Sequence, residues 1–435
     1  MFRPTGFVSL AAKRVGIFGY GMEGRATEAR VRDIAASVVI VDDASDIGPD
    51  VLVTGEGGHE ALLTCDVVFK SPGIPRRRAD VLDLEAQGVS VASALNLWFH
   101  DTDRSRIVAI TGTKGKSTTT ALITYFLECL GEPAQRLGNI GRPPYDPAVD
   151  TDAGWLVLEV SSFQCVDLDM APALIVVTSL GDDHIDWHGS VEKYRDDKLS
   201  LTRAEGAHRT LVPDNDTFRG VTHQLGGEVS FVAPDESHLA AALGLLGAHS
   251  DSNVALALAA VSALTGRSVD EVRPLVIENG AGFVPLSGRL TLVASEWVDD
   301  KLVRYVDDGL ATSVLPAVAA LDVFVLEPLV LVAGGFDRGV EYNALATAIA
   351  TRAQPTMLLT MGEAGTRIGE LVRALDPALA QANFDSMDEA VAAGRRFLAQ
   401  GGVLLLSPGA PSFDRYKNWE ERSQDFTRAV LERSV

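Results

Sequence analysis

Short apolar runs recur along the chain, each followed by a turn rich in glycine, serine or proline and then by a stretch with helical spacing. Val15-Gly16-Ile17-Phe18 predicts a buried strand, Gly19-Tyr20-Gly21-Met22-Glu23-Gly24 a tight turn, and the residues through Ile34 a helix. Val38-Val39-Ile40-Val41 predicts the next strand, ending at Asp42, and Val67–Phe69 another that runs into Ser71-Pro72-Gly73-Ile74-Pro75. The pattern restarts at Ile107-Val108-Ala109-Ile110, which leads through Thr111-Gly112-Thr113-Lys114-Gly115-Lys116-Ser117-Thr118 into a helix that stops at Gly131. Further strands are predicted at Leu156–Glu159 and Ala173–Ser179. A third restart near Arg289 alternates strands at Leu290–Ala294, Leu329–Val332, Thr356–Leu359 and Val403–Leu406 with helices at Ala344–Ala353 and Met387–Leu398. Alternation of this kind builds parallel sheets covered by helices, so the expected class is α/β. Three domains are expected: residues 1–103, Rossmann-like; residues 104–288, a phosphate-loop ATPase domain with a parallel sheet; and residues 289–435, again Rossmann-like.

Composition narrows the functions. A hydrophobic fraction of 46% with 22% charged residues is that of a globular protein, and no apolar run approaches the roughly 18 residues a bilayer requires. No membrane insertion is expected. A formal charge of −21 argues against an extended nucleic-acid surface, which needs clustered Lys and Arg. Cys65, Cys129 and Cys165 are odd in number and widely spaced, so neither a disulfide framework nor a zinc site is indicated, and a cytoplasmic setting is expected. The N-terminus lacks the continuous apolar stretch of a secretory signal.

Several residues then carry candidate chemistry. In strand, glycine loop, Lys116-Ser117 and helix, backbone N–H groups hold phosphates, the lysine neutralises charge and the serine ligates Mg²⁺. Glu159 closes an apolar strand, where a carboxylate is costly unless it meets a cation. Asp182-Asp183-His184 follows the next strand, at the edge where open α/β sheets bind ligands. Ser190 is placed to cap a helix on which Tyr194 and Lys198 share a face. Asn139 lies in a glycine-flanked loop, and Ser407-Pro408-Gly409-Ala410-Pro411-Ser412 follows a late strand. The first glycine loop, with Asp42 after it, reads as a dinucleotide site, a site for another phosphate ligand or plain turn chemistry, and the motif alone does not decide among them.

Taken together, the segments TGTKGKST, GNIG, LEVSSFQ, DDHIDWHG, KYRDDKL and SPGAPSFDRYKNWEERSQDF, in this order, resemble the Mur ligase family and within it the glutamate-adding MurD branch. The resemblance runs through essentially the whole chain. It implies ATP-dependent ligation of glutamate to UDP-N-acetylmuramoyl-L-alanine through an acyl phosphate, during peptidoglycan synthesis. By that resemblance Gly112, Thr113, Lys114, Gly115, Lys116, Ser117 and Thr118 would hold ATP phosphates, Asn253 would approach adenine, and Arg289 and Asp308 would also contact ATP. Ser117, Glu159, His184 and a carbamylated Lys198 would face Mg²⁺, with Lys116, Glu159, His184 and Lys198 as the catalytic set. Gly19, Gly21, Asp42, Ser71 and Asn139 would bind the UDP substrate, and Thr312, Arg338, Ser412 and Trp419 would line the substrate site of the third domain.

The sequence also departs from the MurD pattern. Lys114 replaces the usual asparagine of the phosphate loop. Asp308-Gly309-Leu310-Ala311-Thr312-Ser313 stands where Asp-Ser-Lys-Ala-Thr-Asn is usual, Gly288-Arg289 replaces a His-Arg pair, Arg338 a lysine and Trp419 a phenylalanine. An arginine can bind a carboxylate in two-pronged fashion where a lysine offers a point charge, so the amino-acid pocket is rebuilt. These changes favour L-glutamate over the D-glutamate of the standard enzyme, and both remain open at this point. If L-glutamate is added, a partner glutamyl epimerase would act downstream. A monomer is expected.

Overall fold

The computed structural model describes residues 2–206, 208–298 and 300–432. Its strands form three sheets, and the chain divides into two compact units: residues 1–237 with 251–280, and residues 238–250 with 281–435.

The first unit holds two sheets. One is built from β1 (Arg14–Phe18), β2 (Ser37–Asp42), β3 (Leu52–Val53), β4 (Val67–Lys70) and β5 (Ser90–Ala92), in the order β3-β2-β1-β4-β5 and parallel throughout. The other is built from β6 (Ile107–Thr111), β7 (Ala134–Gly138), β8 (Trp155–Glu159), β9 (Leu174–Val177), β10 (Arg209–Pro213) and β11 (Glu228–Val232), in the order β11-β10-β9-β6-β8-β7, also parallel. β1 and β6 lie inside their sheets with neighbours reached in opposite directions. The crevice outside their carboxyl ends is therefore where an open α/β sheet binds ligands. Both glycine loops follow these two strands. The strands read as unbroken apolar runs because both faces are covered: every residue of β6 is buried.

Local chemistry decides where the elements stop. The first helix spans Met22–Val31, shorter than the sequence suggests, and Ile34 falls in the turn beyond it. The phosphate-loop helix spans Lys116–Cys129 and starts from Gly115 at φ 86°, a left-handed value that glycine tolerates without strain.

The second unit holds β12 (Thr291–Val298), β13 (Lys301–Asp307), β14 (Leu329–Gly334), β15 (Thr356–Met361), β16 (Ala380–Asn383) and β17 (Gly402–Leu406), in the order β12-β13-β17-β14-β15-β16. Among the described residues β12 and β13 pair antiparallel and the other neighbouring strands pair parallel. The two faces are covered by separate apolar layers, one around Leu331, Leu345 and Ile368, the other around Val332, Leu404 and Phe426. Cys65, Cys129 and Cys165 are unpaired thiols. No helix among the described residues is long and apolar enough to cross a membrane.

Candidate active site

The phosphate loop is fixed by hydrogen bonds to Thr178 and Ser179, at the end of the neighbouring strand. Thr113 N–H donates to the Ser179 carbonyl at 2.9 Å, Lys114 N–H to Ser179 Oγ at 2.8 Å, and Thr178 Oγ1 to the Lys114 carbonyl at 2.6 Å. Gly112, at φ 141°, lies so close to Thr178 that a Cβ would meet its Oγ1 at 2.1 Å. Lys116 Nζ folds back on the Gly112 and Thr113 carbonyls at 2.9 and 3.3 Å. Lys114 points elsewhere, to Asp183 Oδ2 at 3.3 Å. Asn253 is buried beneath the loop, its Oδ1 accepting from Thr119 Oγ1, and a Cβ at Gly115 would strike it.

Two buried ionisable groups flank this loop. Glu159 ends β8, which lies between β6 and β7 rather than at an edge, and only 2% of the residue is exposed. Asn139 Nδ2 donates to its Oε1 at 2.8 Å, whereas Oε2 is buried without a hydrogen-bond partner among the described residues. An unpaired buried carboxylate oxygen is costly, and a divalent cation would remove the cost. Lys198 is equally buried, and its Nζ donates to the Gly112 carbonyl at 3.0 Å. Burial, aided by the nearby Lys116 charge, lowers its pKa to about 7. Its helix, Val191–Leu199, is capped by Ser190 Oγ, and Tyr194 Oη on the same face donates to Thr113 Oγ1 at 2.9 Å.

His184 carries φ 47°, uncommon for a residue with a side chain, and its ring is half exposed against Phe163. Its acidic neighbours are engaged in ion pairs, Asp182 with Arg195 and Asp183 with Lys114. Among the described residues no three His, Cys, Asp or Glu side chains converge to hold a metal.

The first sheet presents its own loop. Asp42 Oδ2 accepts from Tyr20 N–H at 2.6 Å, Ser71 Oγ donates to the Gly19 carbonyl at 2.7 Å, and Gly21 leads the helix. Glu23 was not singled out by sequence reasoning. Its carboxylate accepts from Tyr145 Oη at 2.9 Å and Gln164 Nε2 at 2.6 Å, and burial raises its pKa. The Gln164 amide oxygen in turn accepts from Ser161 N–H, completing a capping box at the turn after Glu159. The S-x-x-Q spacing was a readable signal for that cap. The partner across 141 residues was not.

In the second unit Asp307 accepts from Gly309 N–H, Gly288 N–H and Ser423 Oγ, while Asp308 accepts from Ser407 Oγ at 2.7 Å. Burial pushes Asp308 up to about 7. Thr312 follows this turn, its N–H donating to the Leu310 carbonyl. Gly288, beside Arg289, packs so closely on Trp419 that a Cβ would overlap the indole. Ser412 is buried, and the Arg338 guanidinium lies 5.8 Å from the Phe413 ring. An acid whose folded pKa exceeds its unfolded one binds its proton more tightly when folded, so stability falls as pH rises from about 4 to about 7. Asp308→Asn, which never ionises, is expected to raise the melting temperature at pH 8 and leave it nearly unchanged at pH 4. The gain at pH 8 is on the order of 2 kcal/mol, the full shift being discounted for relaxation and water around a buried charge. Calorimetry at both pH values checks it.

Comparison with known proteins completes the picture. The Mur ligase middle-domain family matches residues 110–225. A UDP-N-acetylmuramoyl-L-alanine--L-glutamate ligase of a Micromonospora species is 36% identical, covering 97% of each chain, and one of Xanthomonas axonopodis pv. citri is 34% identical, covering 96% of this chain and 95% of that one. Among solved structures, a MurF ligase of Thermotoga maritima in complex with ADP aligns at TM-score 0.56 and 13% identity, covering 99% of this chain and 98% of that one. A UDP-N-acetylmuramate-alanine ligase, MurC, of the same organism aligns at 0.53 and 15%, covering 97% and 99%. At such identity the structures bear on the fold alone, and they agree with the α/β architecture expected from the sequence.

Proposed function

We propose that this chain, which belongs to the Mur ligase family, uses ATP to join L-glutamate to UDP-N-acetylmuramoyl-L-alanine in peptidoglycan precursor synthesis. The observation that carries the chemistry is the buried, half-unpaired Glu159 carboxylate beside a phosphate loop and a buried lysine. The glutamate-adding assignment is supported by full-length relatives that carry that name.

Three functional domains, residues 1–103, 104–288 and 289–435, divide the task. In the first, the loop of Gly19, Gly21, Asp42 and Ser71 takes the UDP substrate, and Asn139 of the second domain contributes to the same ligand. In the second, the loop amides and Lys116 hold the ATP phosphates, while Asn253 supports the adenine side. Ser117, Glu159, His184 and Lys198 would hold Mg²⁺, which when bound supplies positive charge that offsets repulsion between carboxylate and triphosphate. Lys198 reaches that role as a carbamate: its neutral amine adds to the carbon of CO₂, one N–C bond forms and one proton is lost to solvent. The substrate carboxylate attacks the γ-phosphoryl group, ADP leaves, and glutamate nitrogen attacks the resulting acyl phosphate with loss of phosphate and a proton. Arg289 and Asp308 are assigned to the nucleotide, and Thr312, Arg338, Ser412 and Trp419 to glutamate, whose carboxylate suits the Arg338 fork. A cytoplasmic monomer is the proposed working form. A glutamyl epimerase is the proposed consumer of its product.

Phosphate release from ATP, measured with UDP-N-acetylmuramoyl-L-alanine and either isomer of glutamate, tests the reading. Release with L-glutamate exceeding that with D-glutamate by at least about 100-fold is expected, the scale set by misplacing a reacting group by about 1 Å. Preference for D-glutamate would overturn the stereochemical assignment, and release with neither would overturn the substrate.

A further inference from the structure

Behind Lys198 lies a chain of three buried side chains. Ser162 Oγ is 3.0 Å from His188 Nε2, and His188 Nδ1 is 2.7 Å from Asp197 Oδ2. With the Asp197 oxygen as acceptor, Nδ1 carries the proton and Nε2 accepts from the Ser162 hydroxyl, so one neutral tautomer satisfies both bonds. The atoms are those of a nucleophilic triad, yet the environment is wrong for one. Ser162 is 4% exposed and the imidazole is boxed by Phe163 stacked at 5.6 Å, Trp187 at 4.4 Å and Tyr194 edge-on at 5.1 Å. So buried a hydroxyl is poorly placed to meet a substrate.

The ends of the chain explain what it does. Ser162 opens the short helical turn three residues after Glu159, and Asp197 immediately precedes Lys198. The helix carrying Lys198 is already tied to the phosphate loop through Tyr194 to Thr113 and Lys198 to Gly112. The path through Asp197 and His188 ties it to the start of the turn that follows Glu159, while Ser200 Oγ at the end of the helix donates to the Cys165 carbonyl at the end of that turn. A buried aspartate and imidazole are costly to desolvate, and an apolar pair would pack as well.

We propose that His188 is a positioning residue: through Asp197 and Ser162 it fixes the helix of Lys198 against the turn of Glu159, setting where the lysine nitrogen stands relative to the carboxylate. The proposal rests on the reading of Lys198 as a carbamate-bearing metal ligand. A carbamate persists when a cation holds it and decays to CO₂ when it does not, so displacement of Lys198 should appear as weaker loading.

The test follows the carbamate carbon by NMR in the full chain with ¹³C-bicarbonate and Mg²⁺, alongside kcat and KM. His188→Ala and Asp197→Ala are expected to raise the bicarbonate needed for half-loading at least about tenfold and to lower kcat about 10- to 100-fold, with KM for ATP changed less than about threefold. Asp197→Asn, which keeps an acceptor for Nδ1–H, is expected to stay within about threefold of the unaltered protein in all of these. Should His188→Ala fail to fold, Asp197→Ala against Asp197→Asn carries the same comparison. Unchanged half-loading in folded His188→Ala or Asp197→Ala overturns the positioning role. No carbamate signal in the unaltered protein overturns the reading of Lys198 and the proposal with it, whereas a signal without turnover on either glutamate would leave the positioning role standing and remove only the substrate assignment.

Discussion

Lys116→Ala is expected to lower ATP-dependent phosphate release by at least about a thousandfold, the scale of losing one well-placed charge at a developing oxyanion. The folded state predicts little accompanying damage. Lys116 opens the helix Lys116–Cys129, where a positive charge opposes the helix dipole, and its Nζ donates to the Gly112 and Thr113 carbonyls of its own loop. Melting within about 3 °C of the unaltered protein, together with lost turnover, would assign the residue to phosphate. Comparable loss of melting temperature and turnover would instead make Lys116 a loop strut. Lys198 supplies an internal control. The Lys116 charge helps hold its pKa down, so in Lys116→Ala the lysine nitrogen should titrate above about 7.

The parts of this site carried by contiguous sequence were legible, because strand, loop and helix lie next to one another along the chain. Gly112 through Thr118 follow β6 as expected, and Glu159 sits where an apolar run ends. What escaped was set by distance. Glu23, Tyr145 and Gln164 meet from positions far apart in the chain, as do Ser162, His188 and Asp197, and no local spacing encodes such a meeting. The burial of Lys198 escaped local spacing for the same reason: the phosphate loop that its amine meets comes from another segment. In the second unit the strand at 301–307 was unread, since its partner β12 pairs antiparallel in an otherwise parallel sheet and βα alternation does not announce a hairpin. Residues 238–250 cluster with that unit although the helix Ala248–Thr265 continues into the first, a division invisible to periodicity.

Lys198→Ala is expected to abolish turnover to about the same degree as Lys116→Ala, and the two lysines should then part company in what restores them. A lysine that acted as a cation would be replaced by added amines. One that acts as a carbamate leaves a buried slot, lined at its end by the Gly112 carbonyl, where an anion is missing, and short carboxylates such as propionate supply that anion with an apolar tail for the stem. Partial recovery by carboxylates at tens of millimolar, with no recovery by propylamine, is the expected outcome, and the reverse pattern would remove the carbamate. The burial that makes the slot also sets the direction of the pH effect. With the amine lowered to about 7, its neutral fraction rises across that pH, so at fixed dissolved CO₂ loading of the unaltered protein should increase from pH 6 to pH 8. An ordinary surface lysine, protonated until about pH 10, would load poorly over the whole range. The same buried position that excludes solvent from Lys198 is thus what would let a lysine stand in for a carboxylate.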